Sequence, residues 1–277
     1  MTNFSREINI IKDLAYQAGD AVLEIYKREY EVVEKEDNQG PVTEADLIAN
    51  KIILKGLKKY FPRDAVISEE SPDNLVRLDN KRVWCVDPID GTLEFIKKND
   101  EFSIQIGLIQ NKRPSFGVVY MPALKIMVYG GSSIGAFKEC ESTLEQLHIK
   151  PKTNMSDLIM VVSRSHPSKV LDALKEKIGF RNEISFGSIG GKVIMIVLGK
   201  ADFFIHANPN TKEWDTCAPE AVLMGAGGHM SDLSGLILNY NKKNVFNLNG
   251  VVASGGWGHA HITQKVQDVL RDRKNNR

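Results

Sequence analysis

The sequence predicts an α/β fold of the α+β kind, built from layers of helices and sheets, and three patterns support this prediction. Apolar residues recur three or four positions apart over residues 4–25, which indicates an amphipathic helix at the start of the chain. Strand-like segments follow one another between residues 65 and 129, which is typical of an antiparallel sheet. After residue 158, strands alternate with helices, as in a mixed or parallel sheet.

In the first half, a second long helix precedes the strands. It begins after Pro41, with Thr43 as its N-cap and Asp46 three residues further on, in a pattern related to the capping box. We expect its buried face to consist of Ala45, Ile48, Ala49, Ile52, Gly56 and Tyr60. Strands are predicted at 65–67, 83–86, 102–108, 116–120 and 126–129, the last three as an antiparallel meander.

The second half alternates its elements. We predict strands at 159–162, 201–205 and 251–253, and helices at 168–177, 216–224 and 260–271. Residues 192–198 fit either a helix or a strand. Because the polar segment 139–157 separates the two patterns, we predict a division into residues 1–150, an α+β half, and residues 151–277, an α/β half.

Composition excludes several classes of protein. The 277 residues include 36 basic and 35 acidic side chains, and a net charge of +1 does not fit a nucleic-acid-binding protein. The longest apolar run, 193–198, is far shorter than the roughly 20 residues that span a bilayer. Cys85, Cys140 and Cys217 have neither CxxC nor zinc spacing, which indicates free thiols in a reducing compartment. We expect a cytoplasmic protein that binds neither nucleic acid nor membrane.

Acidic residues directly follow two of the predicted strands. The strand at 65–67 runs into Glu69, and the strand at 83–86 runs into Asp87 and Asp90. If the two strands are neighbours in one sheet, these carboxylates converge at its edge. Carboxylates that lie close together raise each other's pKa, and a divalent cation between them removes the repulsion.

The chemistry of these residues narrows the choice of cation. Every candidate ligand is an oxygen, without His or Cys, which favours Mg²⁺, Mn²⁺ or Ca²⁺ over zinc. Mg²⁺ is the choice that best suits a phosphate substrate. The segment DPIDGT at 87–92 is also an ordinary turn-forming sequence, so a purely structural role stays open at this point.

Asp215 provides a further acid, within the sequence WDTCAPE at 214–220. We expect it to be the N-cap of the helix at 216–224, where an acid is favourable. An acid fixed at the start of a helix could also complete a second metal site. Cys217 lies inside that helix without a neighbouring His in the sequence, so we expect it to pack and not to react.

Taken together and in order, four motifs resemble the signature of the lithium-sensitive, Mg²⁺-dependent inositol monophosphatase family. They are Asp46 after Thr43, Glu69-Glu70, DPIDGT at 87–92 and WDTCAP at 214–219. Within that family the chain is most similar to the bacterial and animal 3′(2′),5′-bisphosphate nucleotidases, through DGTLEFI at 90–96, SRSH at 163–166 and GSIGGK at 187–192. The resemblance extends from about residue 10 to residue 255 and implies a layered αβαβα sandwich.

The resemblance also implies an activity, namely removal of the 3′-phosphate from adenosine 3′,5′-bisphosphate, and a role for each matching residue. Two or three Mg²⁺ ions, with Mn²⁺ as a possible substitute, would be held by Glu69, Asp87, the carbonyl of Ile89, Asp90 and Asp215. The attacking water would be activated by Asp46 and Thr92. The phosphate being cleaved would lie against Gly91 and Thr92. The rest of the nucleotide would be held by Ser163, His166, Ser188 and Lys192.

Three positions depart from the pattern of these relatives. Leu93 stands where the nucleotidases commonly have Lys, and residues 206–213 lack an arginine found in several bacterial members. Asn208 replaces the acid with which inositol monophosphatases bind inositol, which argues against inositol monophosphate as the substrate. The metal ligands implied by the resemblance are all present.

Alternatives accompany these assignments. Lys192 could be a solvated surface lysine, His166 could cap the end of a strand, and His206 fits an ordinary loop residue. The chain could also be an inositol (poly)phosphate or sugar phosphatase on the same fold, or a non-catalytic Mg²⁺- or nucleotide-binding sensor. We predict the nucleotidase, acting on a small-molecule nucleoside bisphosphate as a monomer or weak homodimer.

Overall fold

Helices and sheets alternate in five layers in the computed structural model, which describes residues 4–34, 41–73, 75–140, 143–150, 152–165, 169–256 and 258–275. The described α-helices are α1 (Ser5–Tyr26), α2 (Glu44–Tyr60), α3 (Thr92–Ile96), α4 (Lys169–Ile178), α5 (Ile189–Val197), α6 (Glu213–Gly225) and α7 (His259–Asn275). α1 and α2 cover one face of a seven-stranded sheet, α5 and α6 lie between that sheet and a five-stranded one, and α4 and α7 pack beyond the second sheet. The predicted αβαβα sandwich is confirmed.

The seven-stranded sheet is antiparallel except at one edge. A separate antiparallel pair, β1 (Val32–Glu34) and β2 (Pro41–Thr43), precedes it. The strands of the large sheet are, in order, β3 (Ala65–Ser68), β4 (Arg82–Asp90), β5 (Ser103–Gln110), β6 (Arg113–Met121), β7 (Ile126–Gly131), β8 (Gly135–Cys140) and β9 (Thr143–Leu147). β3 and β4 are parallel neighbours, and all other adjacent strands run antiparallel. The meander is as predicted, and the structure meets the condition for converging carboxylates, because β3 and β4 are neighbours.

The five-stranded sheet is mixed, as the sequence predicted for the second half. Its strands are, in spatial order, β11 (Asn182–Phe186), β10 (Ile159–Ser163), β12 (Phe203–His206), β14 (Val251–Ser254) and β13 (His229–Ser231). β10 runs parallel to β11 and β12, whereas β14 runs antiparallel to β12 and β13. α6 belongs to this half of the chain but packs against β5, β6 and β7. The division at residue 150 therefore stays a prediction.

Both faces of β4 are covered, and this position explains its continuous apolar sequence. Val83 and Cys85 face the core between the two sheets, where α5 and α6 lie. Trp84 and Val86 face the opposite core, formed with α1 and α2. A strand that is buried on both faces loses the usual alternation of apolar and polar residues. The end of β4, which carries the predicted site residues, is thus held from both sides.

The buried face of α2 differs from the predicted one. Its buried residues are Ala45, Asp46, Ala49, Asn50, Ile53, Gly56 and Leu57. Ile48, expected to be buried, is 39% exposed, and Ile52 and Tyr60 are only half-buried. Asp46 and Asn50 occupy the inner face because each has polar partners there. A pattern based on apolar residues alone assigns polar positions such as these to the surface. The predicted buried face of α2 is therefore rotated around the helix axis relative to the observed one.

Two further segments show where periodicity gave no clear signal. β9 lies within the polar segment that was expected to separate the halves, and four of its five residues are exposed at the sheet edge. Residues 192–198 lie in and just after α5, a helix buried from Gly190 to Val197, so its apolar residues follow no one-sided pattern. Among the described helices, α5 included, none is long and apolar enough to cross a membrane.

Gly117 in β6 allows α6 to approach the large sheet. A Cβ atom at this position would lie 2.6 Å from Cα of Ala218 and 2.8 Å from its Cβ. We expect Gly117→Ala to lower the free energy of unfolding by about 1–3 kcal/mol, because it overpacks the contact between helix and sheet. Urea denaturation followed by circular dichroism measures this change. Ser132→Ala, in the exposed turn after β7, serves as the control and should change stability by less than about 0.5 kcal/mol; an equal effect of both variants would contradict the packing explanation.

Candidate active site

A pocket of about 350 Å³ lies where the end of β4 meets α5, β12 and the start of α6. Its volume is within the range of small-molecule sites. Ten of the twelve site residues named from the sequence line it: Glu69, Asp87, Ile89, Asp90, Gly91, Thr92, Ser163, Ser188, Lys192 and Asp215. Asp46 is reached from the pocket through Thr92. His166 lies outside the described residues.

The parallel pairing of β3 and β4 positions the first two acids. Ser68 pairs with Val86, and the backbone N–H of Glu69 continues the ladder by donating to the carbonyl of Val86 at 3.2 Å. Glu69 therefore leaves β3 beside Asp87 on β4. Asp87 is almost fully buried, and its Oδ1 has no hydrogen-bond partner within the described parts of the chain.

A bulge and a glycine then turn the chain away from β4. The pairing of β4 with β5 shifts between Asp87 and Asp90, so the β4 side contains one residue more than its partner strand. Such bulges redirect side chains. Gly91 follows with φ of 93°, and a Cβ atom there would lie 2.9 Å from Cβ of Ser188. Both the left-handed backbone and the close approach to Ser188 favour glycine at this position.

Thr92 and Asp46 form a hydrogen-bonded pair at the edge of the pocket. The Thr92 hydroxyl lies 3.3 Å from Oδ1 of Asp46 and 3.3 Å from the carbonyl oxygen of Ile89. The other carboxylate oxygen of Asp46 accepts hydrogen bonds from the backbone N–H and the hydroxyl of Thr43, at 2.8 and 2.7 Å. The predicted capping box at the start of α2 is therefore present. It also fixes the orientation of the carboxylate that faces Thr92.

Asp90 connects the large sheet to α5. Its Oδ1 accepts from the backbone N–H of Ile189 at 3.0 Å, and its Oδ2 accepts from the N–H of Gly190 at 2.6 Å. The Gln105 side-chain amide also donates to Oδ2, at 2.6 Å. The N–H groups at the start of a helix lack partners within the helix and favour an anion. The sequence motifs predicted only a metal-binding role for Asp90, and its contact with α5 is a second role.

Lys192 is buried in α5, so the alternative of a solvated surface lysine is wrong. The side chain is 3% exposed, its Nζ donates to the carbonyl of Gly187 at 3.3 Å, and it lies 5.3 Å from the centre of the Phe204 ring. Burial lowers the pKa of Lys192 to about 8, an effect that the negative charges of Asp90 and other acids only partly offset. Its ammonium group is thus a desolvated positive charge beside the pocket.

The structure corrects the position of Asp215. α6 begins at Glu213 and Lys212 is its N-cap, so Asp215 is the third helical residue and not the N-cap. Its carboxylate accepts a hydrogen bond from the backbone N–H of Lys212 at 2.6 Å, which is the return half of a capping box. The helix starts earlier than predicted because the buried carboxylate of Glu213 accepts from the backbone N–H groups of Asn241 and Lys242.

Burial and mutual repulsion perturb the acids of the pocket. Burial raises the pKa of Asp87 well above its usual value, and the charges of Glu69, Asp90 and Asp215 raise it further. The pKa of Asp215 is raised by burial and then by Glu69 and Asp90, and the pKa of Asp90 is raised mainly by burial. A divalent cation would relieve this repulsion. Nevertheless, no three His, Cys, Asp or Glu side chains within the described ranges are already arranged as a closed ligand set.

The available oxygen atoms fit a hard cation. Asp87 offers a buried Oδ1 without a donor, and Glu69, Asp90, Asp215 and the Ile89 carbonyl line the same pocket. A carboxylate oxygen can accept more than one bond, so the hydrogen bonds to Asp90 leave it capacity for a cation. Oxygen donors of this kind suit Mg²⁺ better than zinc.

Comparison with known proteins identifies the family. The model of the inositol monophosphatase family matches residues 5–271. The chain belongs to the inositol monophosphatase family. The 3′(2′),5′-bisphosphate nucleotidase CysQ of Salmonella typhimurium is 37% identical over 236 residues, which cover 84% of this chain and 93% of the relative. The CysQ of Haemophilus influenzae is 32% identical over 241 residues, covering 85% and 88%.

Solved structures of inositol monophosphatase family members share the fold. CysQ from Bacteroides thetaiotaomicron superposes with a TM-score of 0.77 at 32% identity, covering 91% of this chain and 98% of its own. An inositol monophosphatase from Thermotoga maritima gives a TM-score of 0.82 at 23% identity, covering 96% and 99%, and shows the fold alone. With the curated CysQ relatives, these matches make the chain an enzyme of the phosphatase class.

Residues that the sequence analysis overlooked complete this family member's pocket. His206, expected to be an ordinary loop residue, lines it and is hydrogen-bonded to Asn210 at 2.7 Å. Phe204 and Thr211 also line it, and Gln105 supports it from β5. The position of His206 at the end of a predicted strand was a usable signal. Gln105 gave none, because a polar residue in an alternating strand is normally assigned to the solvent face.

The raised pKa values predict how the stability of the metal-free protein depends on pH. A carboxyl whose pKa is higher in the folded than in the unfolded protein stabilises the fold while protonated, and this contribution is lost as the pH rises above 3.8 through the folded pKa. We expect the melting temperature in EDTA to fall as the pH increases from about 5 to 8. The fall should be smaller in Asp87→Asn, measured by differential scanning fluorimetry. Asp13→Asn, in the exposed part of α1, should show the same change of melting temperature with pH as the wild type. An equal change in the wild type and both variants would contradict the prediction.

Proposed function

We propose that this protein is a Mg²⁺-dependent phosphomonoesterase that removes the 3′-phosphate from adenosine 3′,5′-bisphosphate, giving AMP and phosphate. One observation carries the proposal: a single pocket combines the buried acids at the end of β4 with the buried cation of Lys192. The acids alone would repel a phosphate, so they favour a substrate only together with divalent cations. Lys192 adds positive charge to the same pocket, suited to a second anionic group.

The cations would be held by the oxygens of Glu69, Asp87, Ile89, Asp90 and Asp215. Two or three Mg²⁺ ions are proposed, with Mn²⁺ as a substitute. When bound, such ions lower the pKa of water and stabilise the charge of the attacking and leaving oxygens. The all-oxygen donor set and the unpartnered Oδ1 of Asp87 support this assignment.

Thr92 and Asp46 are proposed to orient the attacking water and to accept its proton. The Thr92 hydroxyl donates to the Asp46 carboxylate, which leaves the Thr92 oxygen free to accept a hydrogen bond from the water. As the water oxygen bonds to phosphorus and the bond from phosphorus to O3′ breaks, a proton can pass through Thr92 to Asp46, and O3′ leaves as a hydroxyl by taking a proton from solvent water. General base catalysis of this kind requires no covalent intermediate.

Nucleotide recognition is proposed for Ser163, His166, Ser188 and Lys192, and the three of these residues that the structure describes line the pocket. Ser163 ends β10, and Ser188 caps α5 through its hydroxyl, which accepts from the N–H of Gly191 at 2.9 Å. Gly91 approaches Ser188 and would lie against the phosphate that is cleaved. The names of the CysQ relatives support a 3′(2′),5′-bisphosphate nucleotide as the substrate.

The proposal extends to the setting in which the enzyme works. Cys85, Cys140 and Cys217 are all free thiols, which supports a reducing compartment such as the cytoplasm. Asn208 lines the pocket with an uncharged side chain, which favours the nucleotide over inositol monophosphate. We retain the monomer or weak homodimer as part of the proposal.

Phosphate release from three substrates tests the proposed function. Adenosine 3′,5′-bisphosphate, inositol 1-phosphate and fructose 1,6-bisphosphate are compared at equal concentrations with Mg²⁺ and then with EDTA. We expect turnover of the nucleotide to exceed that of the others by at least tenfold in kcat/KM and to stop in EDTA. A higher kcat/KM for either polyol phosphate than for the nucleotide would show that the protein is a polyol phosphatase and not a nucleotidase. No turnover of any substrate would favour a non-catalytic sensor.

The proposed contact between Lys192 and the nucleotide is tested by removing the charge of this side chain. Lys192→Met removes the buried charge with little change in volume, and we expect it to raise KM for adenosine 3′,5′-bisphosphate at least tenfold while affecting p-nitrophenyl phosphate much less. Because the pKa of Lys192 is about 8, its cation is present below that pH and lost above it, so the wild-type KM for the nucleotide should rise above pH 8. Steady-state kinetics from pH 6.5 to 9.5 measure both effects.

The control for this prediction is Lys200→Met, which alters an exposed lysine just after α5. It should leave KM and its pH dependence unchanged. Equal losses on both substrates in Lys192→Met would mean that Lys192 supports the fold or the chemistry and does not contact the nucleotide.

A further inference from the structure

Gln105 contacts an acid of the pocket but has no role in the proposed mechanism. It is fully buried in β5, and its Nε2 donates to Oδ2 of Asp90 at 2.6 Å. Its partner across the strand pair is Asp87. Directly paired residues of neighbouring strands project from the same face of a sheet. Gln105 therefore lies beside two of the proposed metal ligands and contacts one of them.

Two oxygen atoms at this place lack donors. Oε1 of Gln105 and Oδ1 of Asp87 are both buried, and neither accepts a hydrogen bond from any residue that the structure describes. Buried acceptors without donors lower stability, so native proteins rarely retain them without a reason. A cation satisfies the carboxylate oxygen directly. Mg²⁺ keeps several of its waters when it binds to protein, and such a water is a donor for the amide oxygen.

The surrounding packing holds the Gln105 amide in place. A Cβ atom on Gly190 would lie 2.5 Å from Nε2 of Gln105 and 3.0 Å from the hydroxyl of Ser103. The amide is thus enclosed between Asp90 and the first turn of α5. With the amide N–H directed at Asp90, its carbonyl oxygen is left as an acceptor for a different partner.

We infer that Gln105 is a positioning residue for the metal site. Its N–H group fixes the orientation of the Asp90 carboxylate, and its carbonyl oxygen would accept a hydrogen bond from water that accompanies a cation held by Asp87 and Asp90. A glutamine performs both tasks because its amide is a donor and an acceptor at once. This inference rests on the proposed metal-dependent function.

Direct measurement of cation binding tests the inference without catalysis. Mg²⁺ is titrated into the full-length, EDTA-treated and dialysed protein by isothermal titration calorimetry, and Mn²⁺ binding is measured by electron paramagnetic resonance. We expect Gln105→Met to raise the Kd of the cation about 10- to 100-fold, the usual effect of removing a residue that orients a metal ligand. Gln105→Asn, which retracts the amide from Asp90 by one methylene, should weaken binding in the same direction.

The matched control is Gln110→Met, the same substitution in the same strand. Gln110 accepts a hydrogen bond from Ser115 at 2.8 Å, away from the pocket. Gln110→Met should leave the Kd of the cation unchanged. A purely structural role of Gln105 would lower the melting temperature equally with and without Mg²⁺, whereas a positioning role reduces the rise in melting temperature that Mg²⁺ produces in the wild type.

Kinetics provide a second readout. If Gln105 acts through the metal, the Mg²⁺ concentration for half-maximal activity of Gln105→Met should rise about as much as the Kd, and saturating Mg²⁺ should restore most of kcat. A Kd within twofold of the wild type in either folded variant overturns the inference. Failure of the proposed function is distinct from this result, because the wild type itself would then bind no Mg²⁺ or release no phosphate from any substrate.

Discussion

The contact between Asp90 and the first turn of α5 joins the two halves of the pocket. Asp90 ends β4, and α5 carries Lys192 and is capped by Ser188. Through two backbone N–H groups, one carboxylate fixes the distance between the wall that would hold the cations and the wall that would hold the nucleotide. The bulge in β4, the turn at Gly91 and the closeness of Gly190 to Gln105 are all conditions for this contact.

The layers around the contact make it rigid. β4 is enclosed between the helices α1 and α2 on one face and α5 and α6 on the other, so the strand end cannot shift without disturbing two hydrophobic cores. α6 packs tightly on the sheet at Gly117 and carries Asp215 to the same pocket. The acids that line the pocket therefore lie just after β3, in β4 and in α6, which tertiary packing alone brings together. Such support limits the relaxation by which crowded carboxylates would otherwise move apart.

Much of this arrangement was predictable from local sequence. Apolar runs located β3 and β4 and the acids at their ends, and Thr43 with Asp46 indicated the capping box, because both patterns act over a few residues. The errors arose where a polar group is buried for tertiary reasons. Asn50 lies on the buried face of α2, and Glu213 extends α6 beyond its predicted start. Each of these residues is buried against partners far away in the sequence, and the spacing of apolar residues gives no information about such partners.

Both carboxylate oxygens of Asp46 accept hydrogen bonds, which affects how this protein can change by mutation. One carboxylate oxygen holds the start of α2 and the other faces Thr92, so on the proposed mechanism a single side chain would serve both folding and chemistry. Asparagine, one nucleotide away in the genetic code, retains an oxygen for Thr43 and turns an amide toward the Thr92 hydroxyl, but it cannot take up a proton. On the proposed mechanism, this single substitution would therefore convert the enzyme into an intact but inactive binder.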